Sequence, residues 1–181
     1  MRKLFSHALF WSVLGFSGVT ASSEAWAGDF IESAGTVLSV ALPATAGGMT
    51  VGFGDRDGTG QFLEATAMTV GVTYGLKYTI SEERPNGRKH SFPSAHTSVS
   101  FVAADFLRKR YGLEYGIPAY LAAGFVGYSR VEAKEHHVHD VLAGAAIGLL
   151  SNALFTTSRD GWRVQASATD GVYGIGLSRA W

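Results

Sequence analysis

The chain contains no cysteine. Disulfides, thiolate metal centres and cysteine nucleophiles are therefore all excluded. It also has no surplus of charge of either sign, with 15 Lys and Arg against 15 Asp and Glu over 181 residues. A neutral chain lacks the basic footprint that binds phosphate backbones, so nucleic acid is not expected as a partner. Charge is scarce altogether, 17% of residues against 46% hydrophobic, and the mean hydropathy is +0.12. That balance leans apolar for a water-soluble protein, yet falls short of a chain made only of membrane spans. No long-period repeat and no low-complexity linker divides it, and the length suits one domain with small appendages.

The N-terminus carries the marks of a secretory leader. Arg2 and Lys3 supply a positive start, Ala8 to Val19 an apolar stretch, and Ala25-Trp26-Ala27 a small-x-small cleavage site. Residues 1–27 are expected to be a signal peptide, which places the mature protein in the periplasm, soluble or associated with the inner membrane. An uncleaved anchor helix is the alternative. Five apolar stretches follow, at roughly 34–53, 62–80, 97–110, 117–129 and 140–157, separated by breaks at 54–60, 82–90 and 112–116. Their length and lack of alternation predict helices. Several are short for a span of about 20 residues. Pro43, Glu64 and Asp105 interrupt others, so they read as core helices before membrane spans. The third helix is the best marked, with Pro93 and Ser94 at its start, Arg108, Lys109 and Arg110 at its end, and Gly112 as its C-cap. After 157 the pattern changes. Trp162, Val164, Ala166 and Ala168 alternate with polar partners, Asp170-Gly171 signals a turn, and Tyr173, Ile175 and Leu177 alternate again. This predicts a C-terminal β-hairpin over 158–181, appended to an all-α domain over 28–157.

Three clusters carry potential chemistry. His136 and Asp140 stand four apart, which on a helix puts both on one face. A carboxylate on one imidazole nitrogen fixes the tautomer and leaves the other nitrogen free to attack or to take a proton. Taken alone such a pair is more often a satisfied histidine than a catalyst. Ser94, Ala95 and His96 open a helix, whose free N–H groups make an anion site beside a candidate general acid. Lys77, Arg84 and Arg130 supply cations, two of them able to fork onto phosphate oxygens. Together these groups would neutralise a phosphoryl group, attack it with one histidine and protonate the leaving oxygen with another. No metal and no cofactor is needed.

The pattern Lys77-x6-Arg84-Pro85, Pro93-Ser94-Ala95-His96 and Ser129-Arg130-x5-His136-x3-Asp140 resembles the three-part signature of the type 2 phosphatidic acid phosphatases, which share a superfamily with class A acid phosphatases and vanadium haloperoxidases. The resemblance implies an all-α helical bundle of that type and roles residue by residue. His136 would carry the phosphohistidine, and Asp140 would orient it. His96 would protonate the leaving group and later activate water. Lys77, Arg84, Ser94 and Arg130, with the amide of Ala95, would hold the phosphate. The substrate would be a phosphate monoester or diphosphate, of a lipid or a small molecule. Two departures stand out: Ala95 replaces the usual glycine, and the loop from Pro85 to Pro93 is short for the family.

Other readings compete. His136, His137, His139 and Asp140, with Glu132 and Glu135, could suggest a metal hydrolase. On a continuous helix, however, His137 and His139 would point away from the His136–Asp140 face. A vanadium haloperoxidase would use the same residues, and a non-enzymatic helical envelope module would fit the Ala- and Gly-rich segments while leaving the motif spacing unexplained.

Overall fold

In the computed structural model the backbone is described from Ser6 to Arg159 and over two later strands, and side chains from Gly28 to Arg159. The leader assigned to residues 1–27 lies outside the described side chains. Five helices make the fold: α1 (Ser6–Gly52), α2 (Arg56–Thr79), α3 (Ala95–Tyr111), α4 (Leu113–Glu132) and α5 (Val138–Phe155). Trp162–Thr169 (β1) and Val172–Arg179 (β2) pair antiparallel, from Trp162 opposite Arg179 to Thr169 opposite Val172. Their side chains are not among those described, and the helices alone position the site.

The breaks are narrower than the sequence suggests. The glycine-rich run 54–60 is not a loop: Gly54 takes a φ of +63° and α2 restarts at Arg56. Asp55 is the reason, since its carboxylate accepts the Gly58 N–H at 3.0 Å and caps the new helix. A Cβ at Gly58 would stand 2.3 Å from that carboxylate, so glycine there makes room for the cap. Between α3 and α4 the break shrinks to Gly112, at φ +105°, whose N–H bonds to Arg108 O.

Helix α3 lies at the centre, in contact with all four others. Its Ala103, Ala104, Phe106 and Leu107 meet Leu42 and Ala46 from α1, Phe62 from α2, and Ala119 and Ala123 from α4. The Phe62 and Phe106 rings pack 4.8 Å apart. Helix α5 approaches α3 at backbone distance. A Cβ at Gly144 would come within 2.5 Å of Ser94 O, and one at Gly148 within 2.5 Å of Ser98 O. Small residues four apart thus bring the start of α5 against the start of α3.

Outside this apolar core, several polar residues are buried while many large apolar ones are exposed. Asp105 is buried, accepting from Asn152 Nδ2 at 2.6 Å, Arg108 Nε at 2.8 Å and Tyr120 Oη. Val37, Val40 and Val51 of α1, Leu121 of α4, and Leu142, Leu150 and Leu154 of α5 are exposed. Gly28–Gly52 and Val138–Phe155 are long and apolar enough to cross a membrane, and only 28% of each stretch is buried. A core helix buries its apolar face, whereas α1 and α5 leave most of theirs exposed, which favours an association with a membrane. Pro43 does not interrupt α1, which runs through it.

Candidate active site

The site forms where the end of α2, the 80–94 loop, the start of α3, the end of α4 and the start of α5 meet. Ser94 N–H bonds to Asp140 O at 3.0 Å and ties the two helix starts together. Ser94 is fully buried at the N-cap of α3 and does not cap it with its side chain; instead its Oγ accepts from Thr97 Oγ1 at 3.0 Å. The first N–H groups of a helix have no intrahelical acceptor, so the Ala95 and His96 end of α3 presents donors.

His136 and Asp140 do not share a helical face. Helix α5 begins only at Val138, so His136 sits in the turn before it and Asp140 in its first turn. The pair still meets: His136 Nδ1 lies 3.4 Å from Asp140 Oδ2. That oxygen also accepts from the His137 N–H at 2.8 Å and from Ser91 Oγ at 2.5 Å. The cap of α5 is thus the same carboxylate that faces the histidine. With Nδ1 turned to Asp140, Nε2 is the ring nitrogen left for chemistry.

The cations gather around both histidines. Lys77 is buried, and its Nζ donates to two carbonyls, His90 O at 2.9 Å and Ser91 O at 3.3 Å. Arg130 is also buried, donating from Nε to Ser129 Oγ at 3.2 Å and from Nη2 to Glu32 O at 2.5 Å. These acceptors are neutral, so neither charge is cancelled by them. Arg84 pairs with Glu135 through Nη1, while its buried Nε has no hydrogen-bond partner. Burial, together with the charges of Lys77 and Arg84, holds the His136 imidazole down at about 4, against a weaker opposite pull from Asp140. Burial also holds His96 below its usual value, helped by Arg130, Arg84 and Lys77. Both rings therefore feel Lys77 and Arg84, and His96 feels Arg130 as well. Lys77 and Arg84 thus link the two candidate histidines, and Arg130 joins them through His96.

One residue, Ser91, went unnoticed in the sequence, and another, Glu135, was weighed there only as a metal ligand. Ser91 orients Asp140, as above. Glu135 gathers Arg84 and Arg88, and accepts from Asn86 Nδ2 at 3.0 Å. Its place directly before His136 was the available signal. The expected divergence of His137 and His139 also fails. Because the helix starts late, both turn with Glu82 toward Asp140, and the four donor atoms lie within 4.8 Å of one another.

The sequence model described as "PAP2 superfamily" matches residues 58–163, more than half of the chain. The chain belongs to the PAP2 superfamily. All eight candidate residues from Lys77 to Asp140 fall inside the matched region. This PAP2 chain is 30% identical over 170 residues to the lipid A 4'-phosphatase of Helicobacter pylori (strain J99), covering 83% of the chain and 85% of that protein. It is 34% identical over 103 residues to the lipid A 1-phosphatase of Porphyromonas gingivalis, covering 52% of the chain but only 23% of that longer protein. Among solved structures it is similar to a transmembrane PAP2 type phosphatidylglycerolphosphate phosphatase from Bacillus subtilis, with a TM-score of 0.57, 26% identity, and coverage of 86% and 94% of the two chains. The protein is a phosphatase, a phosphoric ester hydrolase on the PAP2 helical fold.

Proposed function

We propose that this PAP2 phosphatase removes a phosphate monoester from a membrane glycolipid of the lipid A class, through a phosphohistidine on His136 and without a catalytic metal. The observation that carries the proposal is the pair of buried cations, Lys77 and Arg130, whose side chains donate to uncharged acceptors beside two histidines. The Asp140 and Glu32 carboxylates act on these cations only from beyond hydrogen-bond reach; buried charge held directly by neutral acceptors is costly, and a phosphate dianion would supply a direct counter-charge.

In the first step His136 Nε2 attacks phosphorus and the bond from phosphorus to the leaving oxygen breaks. His96 gives its proton to that oxygen. In the second step His96 takes a proton from water, the hydroxide attacks phosphorus, the P–N bond breaks and inorganic phosphate leaves. Lys77, Arg84 and Arg130, Ser94 Oγ and the Ala95 N–H hold the phosphoryl oxygens throughout. Asp140 keeps the His136 ring in place and offsets the positive charge the ring gains on attack.

The lipid part of the proposal is supported by the relatives' named substrates and by the outward apolar faces of α1 and α5. These two helices are read as membrane-spanning, with the site at the interface where headgroups lie. A leader over 1–27, a periplasmic site and a hairpin over the C-terminal tail belong to the same proposal. The first two are supported by the residue pattern at the N-terminus, the last by the alternation over 162–177.

The test is phosphate release by the purified full chain in detergent, from lipid A against a water-soluble aryl phosphate. Lipid A should be preferred in kcat/KM by at least about a hundredfold, since remote binding energy is what a lipid substrate contributes. Chelator should not lower the rate. Equal rates on both substrates would remove the lipid assignment, and full activity in His136→Ala would remove the mechanism.

A further inference from the structure

Beside the proposed nucleophile, on the outer side of Asp140, stands a second cluster that the phosphatase chemistry does not use. Glu82 comes from the loop after α2, and His137 and His139 flank the start of α5. Glu82 Oε1 lies 2.7 Å from His139 Nε2 and 3.4 Å from His137 Nδ1, and His139 Nε2 lies 3.3 Å from Asp140 Oδ1. The donor atoms of a tetrahedral zinc site, each about 2.0–2.1 Å from the ion, are separated by roughly 3.3–3.4 Å. Two of these separations match that edge and one is shorter, and all four donor atoms lie within 4.8 Å of one another.

Two buried polar atoms in the cluster lack a hydrogen bond, His137 Nδ1 and Asp140 Oδ1. Buried polar atoms are rarely left so, and each such atom calls for a cause. Asp140 is fully buried and its Oδ1 faces this cluster, while Oδ2 serves Ser91, His137 N–H and His136. Two carboxylates balance a dication, and two imidazoles complete a nitrogen and oxygen donor set suited to zinc more than to magnesium or calcium.

We propose that Glu82, His137, His139 and Asp140 bind a zinc-class divalent ion, and that the bound ion slows the phosphatase by drawing on the carboxylate that serves His136. The ion would sit outside the phosphate site and take no part in the reaction. Its hold on Oδ1 withdraws electron density from Asp140, which then offsets less of the charge that His136 gains on attack. The ion would also staple the 80–94 loop to α5. The effect on rate rests on the phosphohistidine reading above; the binding does not.

The experiment uses the full chain in detergent, stripped with chelator, and titrated with zinc against a chromophoric zinc chelator. Cobalt is titrated separately, read by its tetrahedral visible absorption. The wild type should take up about one equivalent of zinc, and His139→Ala and Glu82→Gln should each weaken binding at least about tenfold, since even outer partners of a metal site are worth that much. Circular dichroism checks that both variants remain folded. In parallel, zinc should lower phosphate release by the wild type, chelator should restore it, and His139→Ala should keep its basal rate and lose the sensitivity. Absence of stoichiometric uptake, or uptake unaffected by both substitutions, would overturn the site. Equal inhibition of wild type and His139→Ala would overturn the coupling. A chain that binds zinc yet releases no phosphate at all would support the site while ending the phosphatase reading.

Discussion

The two ends of the helical bundle solve the same problem differently. At one end Arg110, in the last turn of α3, is buried against Asp55, the cap of α2. Its Nε donates to Asp55 Oδ2 at 2.7 Å and its Nη2 grips the other oxygen, while Tyr111 Oη and Gly58 N–H complete the carboxylate's partners. Arg110 Nη1 reaches Thr157 O at 3.1 Å. At the opposite end of α2 and α3, Lys77 and Arg130 are just as buried but are held by carbonyls and a hydroxyl, and Arg84 shares Glu135 with Arg88. The closed pair locks the fold; in the proposed function the open set leaves Lys77 and Arg130 available to an anion. Burial of a cation therefore says little until its acceptors are counted.

The comparison can be broken at either end, and the largest effect belongs to the open one. His136→Ala should lower phosphate release by at least about a thousandfold with the thermal midpoint nearly unchanged, since loss of a nucleophile acts on the transition state alone. A large loss of stability in this variant would mean that His136 is part of the packing. At the closed end, Asp55→Asn should cost about 3–5 kcal/mol, the loss expected when a buried ion pair keeps one partner. The midpoint of denaturation should fall, while activity per folded molecule stays near that of the wild type. A drop in kcat without destabilisation would contradict the division of labour.

Between the two ends lies the α3–α5 contact. Gly148→Val should cost about 1–3 kcal/mol or more, because the added carbon meets Ser98 O. It should also reduce turnover more than Asp55→Asn does, since it pushes Asp140 away from Ser94. Equal activity losses in the two variants would show that the site does not depend on this approach.

Acidity distinguishes the ends as well. Arg110 holds the Asp55 carboxyl far below the usual carboxylate range. A depressed carboxyl contributes stability that is present above its unfolded value of about 3.9 and is lost as pH falls through the folded value. His96 is depressed too, by burial and by Arg130, Arg84 and Lys77. As a general acid it works only while protonated, so kcat/KM should decline as pH rises beyond a point lying below the usual histidine value of about 6.5. Arg130→Gln removes one of those charges and should move that limb upward; a limb that stays put would detach His96 from proton donation. The smallest effect is expected for Glu135→Gln, which frees Arg84 and Arg88 and should change KM by only a few fold, with kcat nearly constant.

Much of this was legible in the residues. The five helices follow from long apolar stretches, and the Gly112 cap from its place after Arg108-Lys109-Arg110. The candidate site residues follow from motif spacing, which selects cations and histidines without regard to where helices begin. Where the reading failed, the cause was a cap. Asp55 turned an apparent glycine loop into the first turn of α2. Asp140, capping α5, moved its start to Val138 and so reversed the directions of His137 and His139. Periodicity assumes an uninterrupted helix and cannot see such a restart. Two apparent interruptions of the apolar stretches were not interruptions: α1 runs through Pro43, and Asp105 is buried within α3 and saturated by Asn152, Tyr120 and Arg108.

The most direct test of the central claim is to trap the enzyme during turnover. Phosphorus-labelled lipid A, mixed with the purified chain and quenched in alkali within the first turnover, should leave a label on the protein that is stable to base, labile to acid, and located on His136 by peptide mapping. A label on another residue, or none while His136→Ala still turns over at the wild-type rate, would contradict the account.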